Sequence, residues 1–142
     1  MKWEFNDGGR SKAGFKGFTT DCFCRAVAIG SDRPYKEVYE ELIEFAKTER
    51  KSKKRSSRSH PRTGFYRETA KRYLISNGWS WVPLMGIGTG CTVHLKEGEL
   101  PEGVLICSLS KHYTVVDNGV IQDTHDPSRN GTRCVYGYFV KK

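Results

Sequence analysis

Apolar positions along the first half of the chain recur at helical spacing. Cys22, Ala26 and Ile29 fall at i, i+4 and i+7, and Phe23 with Val27 widens the stripe. This predicts a first helix starting near Asp21, with Thr20 or Asp21 as N-cap and Gly30 as its stop. Tyr35, Val38, Tyr39, Leu42, Phe45 and Ala46 predict a second helix, capped by Asp32, with Pro34 in its first turn. Tyr66, Ala70, Tyr73 and Leu74 predict a third, from about 63 to 76, ended by Asn77-Gly78.

After Gly78 the pattern changes. An apolar stretch from Trp79 to Met85 is broken by Pro83, and Gly86, Gly88 and Gly90 follow in a loop. Residues 104–109 form a nearly continuous apolar run, as in a central strand. Residues 111–116 and 120–124 flank Asp117-Asn118-Gly119, a strong hairpin signal. Residues 134–140 read as a last strand. Helices followed by strands predict an α+β domain over 1–142, its N-terminal helices packed on a C-terminal antiparallel sheet. Residues 1–20, rich in glycine with Phe5, Phe15 and Phe18 interleaved, read as an irregular arm pinned by aromatics.

The net charge of +8 belongs to one segment. Residues 47–62 hold eight basic residues against the single Glu49, and so carry seven of the eight net charges. Such a run suits an exposed loop, or a contact with nucleic acid or an acidic partner. It has no interleaved aromatics for base stacking. The N-terminus shows no apolar signal core, and no apolar run approaches a membrane span, so no membrane partner is expected. Five cysteines, an odd number without an export signal, predict reduced thiols and a cytoplasmic protein. The Gly86-x-Gly88-x-Gly90 run is not placed between a strand and a helix, and no cofactor is expected.

Chemistry concentrates on Cys22. A helix N-terminus and a nearby imidazole both favour a thiolate. The N–H of a first helical residue is also free to hold an oxyanion. Cys24 lies about 200° round the same helix and points away. Cys24, Cys107 and Cys134 are read as core thiols.

Among His60, His94, His112 and His125, hairpin geometry singles out His112 as the base. If Asn118-Gly119 is a two-residue turn, Asp117 faces Val120 and Thr114 faces Asp123. His112, Thr114 and Val116 then share a face with Ile121, Asp123 and His125. Asp123 is diagonal to His112, where a carboxylate would hold the imidazole in its productive tautomer. Asp126 has the opposite parity and stays in reserve against a one-residue bulge. A competing zinc site would use Cys22, Cys24, Cys91 and His94.

A helix-start cysteine, then a strand histidine, then an acid on the next strand resembles the papain-like superfamily. The His112–Asp123 spacing is similar to that of bacteriocin-processing peptidases of export transporters. Phe5-Asn6-Asp7-Gly8-Gly9-Arg10, Asp21-Cys22-x-x-Arg25-Ala26, Ser110-x-His112 and Asp117-x-Gly119-Val120-Ile121-x-Asp123-Thr124 also resemble a group of small bacterial and phage proteins. The wider resemblance implies a papain-like fold and cysteine-dependent acyl chemistry on a peptide or protein substrate, carried by Cys22, His112 and Asp123. Papain-like enzymes place a Gln about six residues before the nucleophile as a second oxyanion donor. Lys16 stands here, and Asn6, Lys16 or Thr19/Thr20 are the candidate substitutes. The alternative function is a non-catalytic adaptor of the same fold that binds nucleic acid or protein through 47–62.

Overall fold

A computed structural model describes residues 1–50 and 57–142. The centre of the basic run lies outside the described residues; on its described flanks the basic side chains Lys47, Arg50, Arg58 and Arg62 are exposed as expected, whereas Glu49, Ser59 and Pro61 are buried. Three helices, α1 (Cys22–Ser31), α2 (Tyr35–Ala46) and α3 (Arg67–Ser76), accompany six strands. The strands are β1 (Lys2–Phe5), β2 (Trp79–Pro83), β3 (Val104–Leu109), β4 (His112–Asp117), β5 (Val120–Asp123) and β6 (Gly137–Lys141). They form one sheet of order β1-β5-β4-β3-β6-β2. The class is α+β.

The sheet is mixed, not wholly antiparallel as expected. The start of the supposed irregular arm is the edge strand β1, which runs parallel to β5 with Phe5 opposite Asp123. Asn6 N continues the pairing by donating to Asp123 O. Beyond Asn6 the arm is irregular. Of the three phenylalanines only Phe15 pins it, against Tyr35 and Tyr39. Phe5 and Phe18 are 70% and 85% exposed.

The helix boundaries correct the sequence reading in detail. Asp32 ends α1 in the left-handed conformation, φ 52°, and Pro34 rather than Asp32 precedes α2. Gly30 lies inside α1, where it serves packing: a Cβ there would stand 3.0 Å from Ile106 Cγ1. Helix α3 begins at Arg67, because 60–64 close a turn through the His60–Gly64 bridge.

The central hairpin has the expected register, with Asp117 opposite Val120 and Val116 opposite Ile121. Asn118 and Gly119 both have positive φ, as a turn whose twist matches the flanking strands requires. The hairpin from β3 to β4 turns at Ser110-Lys111, and Leu109 pairs with His112.

Each face of the sheet is covered. Phe23, Val27, Leu42 and Leu74 of the helices pack with Ile106, Val115 and Phe139 of the sheet in one core. Leu95, Leu105, Leu109, Val116, Ile121 and Val135 form the second core, closed by irregular chain between β2 and β3. A Cys91–Cys134 disulfide ties this outer layer together. The pairing corrects the reading of Cys134 as a core thiol and departs from the expectation of five reduced cysteines. It also removes Cys91 from the zinc set. The sequence signal was unreadable because the partners sit 43 residues apart in irregular chain. Among the described residues no helix is long and apolar enough to cross a membrane.

Candidate active site

Cys22 is the first residue of α1, so its N–H has no intrahelical acceptor. The Asp21 side chain does not cap the helix. Its carboxylate turns inward, accepting from Arg25 Nη1 at 2.6 Å and from the Tyr35 hydroxyl at 2.7 Å. Thr20, the other candidate cap, gives its hydroxyl proton to Thr63 O. The open helix end is left to the thiol.

His112 begins β4 and Asp123 ends β5. His112 Nε2 lies 2.8 Å from Asp123 Oδ2. Cys22 lines the same cavity as His112 and helps raise the pKa of its imidazole, and with Nε2 committed to Asp123 it is Nδ1 that remains for the thiol. The structure thus brings together the three residues singled out from the sequence.

Asp123 is almost completely enclosed and has five further contacts, one of them the Thr124 hydroxyl at 3.5 Å from Oδ1. Thr114 Oγ1 donates to Oδ2 at 2.7 Å. Arg25 Nη2 at 2.9 Å and Thr124 N at 2.7 Å donate to Oδ1. The His125 ring stands 3.8 Å from the same oxygen. Burial opposes the carboxylate charge. The His112 and Thr114 hydrogen bonds, with the His112 and Arg25 charges, outweigh it and hold the group below the usual carboxylate range.

For His112, burial likewise disfavours charge. The Asp123 and Cys22 hydrogen bonds and the charges of both partners reverse this and raise its pKa to about 9. The other free thiols are placed differently. Burial pushes Cys24 and Cys107 up to about 12. Only Cys22 among the free cysteines is partly accessible.

Arg25 is the element that sequence reasoning left without a role. It stood inside the Asp21-Cys22-x-x-Arg25 motif, which was the available signal. Its guanidinium spans Asp21, before the thiol, and Asp123, beside the imidazole. Gly8 makes room for it: a Cβ there would stand 3.4 Å from Arg25 Cγ. The glycine arm therefore packs on the first turns of α1 and closes the ion-pair network from outside, with Arg10 Nε 3.9 Å from Asp21.

The remaining histidines and acids have other duties. His60 Nδ1 accepts from Arg62 N, and His94 pairs with Glu99. Asp126 accepts from Ser128 N in a turn and is not the acid beside His112. Three proposed oxyanion substitutes are already engaged. Asn6 binds Gly8 N and Gln122, Thr19 donates to Arg62 O, and Thr20 to Thr63 O. Among the described residues no cluster of metal-ligating side chains gathers.

Cys22 and His112 border an open cavity of about 400 Å³. Phe65, Tyr113 and Tyr136 give it apolar walls, and Arg67, Ser110 and Lys111 give it donors. Arg67 is anchored by donating to Ser108 Oγ and Leu109 O. No family model matches the chain, and no curated protein or solved structure matches it either.

Proposed function

We propose that this chain is a papain-like cysteine hydrolase or acyltransferase acting on a peptide or other amide bond. The observation that carries this reading is the single arrangement of Cys22 at a helix start, His112 beside it, and an enclosed Asp123 on the far ring nitrogen.

The chemistry follows from those positions. The Cys22 thiolate attacks the substrate carbonyl carbon, and the carbonyl π pair moves to oxygen. The Cys22 N–H faces that developing oxyanion, and Arg67 and Ser110 are side-chain donors on the same cavity. His112 Nδ1 then gives its proton to the leaving nitrogen as the C–N bond breaks, leaving a thioester. Water or an amine attacks the thioester, His112 takes its proton, and the thiolate departs. Water gives a carboxylic acid and an amine gives a new amide, so one site serves hydrolysis or transfer. Asp123 keeps Nε2 protonated throughout and stabilises the imidazolium.

The test is covalent capture by an electrophilic peptide probe such as a vinyl sulfone, read by intact mass, with Cys22→Ala as control. One adduct on the wild type and none on Cys22→Ala supports the reading. An adduct on another cysteine, or none, contradicts it.

A further inference from the structure

Two further cavities adjoin the one that Cys22 borders. The one bordered by Cys22 shares Thr63, Gly64 and Phe65 with a second of about 320 Å³, which Arg58 lines. It shares Arg67 and Tyr113 with a third of about 100 Å³, lined by Lys71 and Trp81. Taken together they make a trough whose middle cavity holds Cys22, with a cation lining every part: Arg58, Arg67 with Lys111, and Lys71. No carboxylate among the described residues lines any of the three.

These cations are braced in place. Arg58 Nη1 donates to Ala46 O and Lys47 O at the end of α2. Arg67 lies over the Tyr136 ring at 5.0 Å, and Lys71 over Trp81 at 5.5 Å. Lys111 sits in the Ser110-Lys111 turn, which Arg133 holds by donating to Ser110 O at 2.6 Å. A line of fixed positive charge in a concave site attracts an anionic chain and holds it in register.

We infer that the trough takes an extended acidic polypeptide segment and presents one of its amide carbonyls to Cys22. This rests on the proposed acyl chemistry and adds the substrate class to it. A nucleic acid would also meet positive charge. It would find one face each of Tyr136 and Trp81 already taken by Arg67 and Lys71, where base stacking needs an open face. It would also offer no peptide carbonyl to the thiol in the middle.

The test uses a fluorescein-labelled peptide of alternating Glu and Ala, its Gln and Ala counterpart, and an oligothymidylate. Binding is read by anisotropy, and position by protection of Cys22 from iodoacetamide. The Glu peptide is expected to bind at least about tenfold tighter than the Gln peptide at low salt, with the difference shrinking as salt rises. It is expected to slow Cys22 alkylation. Lys71→Gln with Lys111→Asn should weaken Glu-peptide binding severalfold. Asn suits the Lys111 position, where φ is 55°. Circular dichroism checks the fold of the double variant, and Lys71→Gln alone replaces it if it fails to fold. Equal affinity for the Glu and Gln peptides, tighter binding of the oligothymidylate, or Glu-peptide binding that leaves Cys22 unprotected would each overturn the inference. A Cys22 that alkylates no faster than in His112→Ala, with Glu-peptide binding still sensitive to Lys71→Gln, would instead sink the acyl chemistry and keep the acidic trough.

Discussion

Arg25 Nη2 lies 2.9 Å from Asp123 Oδ1, joining the helix that begins at the thiol to the strand that ends at the acid. Both side chains are largely enclosed, as is Asp21 on the other nitrogen of the same guanidinium. Removing Arg25 would leave two buried carboxylates without the guanidinium they share, Asp21 with only Arg10 at 3.9 Å and Asp123 with only the His112 and His125 rings as nearby positive partners. Arg25→Met should therefore destabilise the fold by about 3–5 kcal/mol in denaturant unfolding. A loss below about 1 kcal/mol would show that the pair does not hold helix and sheet together.

Asp123 needs to be a carboxylate here. Six groups face its two oxygens: Arg25, Thr114, Thr124 N, His112 and, at longer range, the Thr124 hydroxyl and His125. An asparagine must turn its NH₂ toward one set of donors. Asp123→Asn should cost about 1–3 kcal/mol of stability as well as turnover. The cost arises because the oxygen that faces Arg25 and Thr124 N cannot be given up without losing one set of donors. Thermal unfolding with a turnover assay checks both parts.

The His112 imidazole should titrate near pH 9, against an ordinary value of 6.5. A raised pKa means that the charged ring stabilises the native state. That contribution is complete below about pH 6.5 and is lost as pH rises through about 9. Asp123 acts in the opposite sense: its contribution is present above the ordinary carboxylate range and disappears as pH falls through its lowered pKa. Ring-carbon NMR titration of selectively labelled histidine checks the first statement, and a His112 midpoint near 6.5 would contradict it.

The Cys91–Cys134 bond predicts three titratable thiols in the denatured, unreduced chain and five after reduction. Closing a loop of 43 residues is worth about 2–4 kcal/mol, so reduction should lower stability by that order. Five thiols before reduction would restore the fully reduced state expected from the odd cysteine count.

Much of this site could be read in advance because its parts are local. Asn118-Gly119 fixes a two-residue turn, and the turn fixes parity. Parity puts His112, Thr114 and Asp123 together, and the Thr114–Asp123 hydrogen bond is its direct consequence. Cys22 at a helix start follows from periodicity within ten residues. What stayed hidden is non-local. Strand β1 has four residues and pairs with a strand more than a hundred positions later, so no alternation announces it. Asp32 has the composition of an N-cap but serves the preceding helix in a left-handed turn, which only three-dimensional context decides. Arg25 could be seen in a motif, yet its bond to Asp123 spans 98 residues.

The central claim is that Cys22 and His112 act as one unit, and the rate of Cys22 alkylation by iodoacetamide near neutral pH tests it most directly. With site-resolved mass spectrometry, Cys22 should react well ahead of Cys24 and Cys107, which are buried. His112→Ala should slow Cys22 by about tenfold or more, since an unassisted thiol is only a few per cent thiolate at pH 7. A Cys22 rate unchanged by His112→Ala, or equal labelling of all three free cysteines in the native protein, would contradict the account.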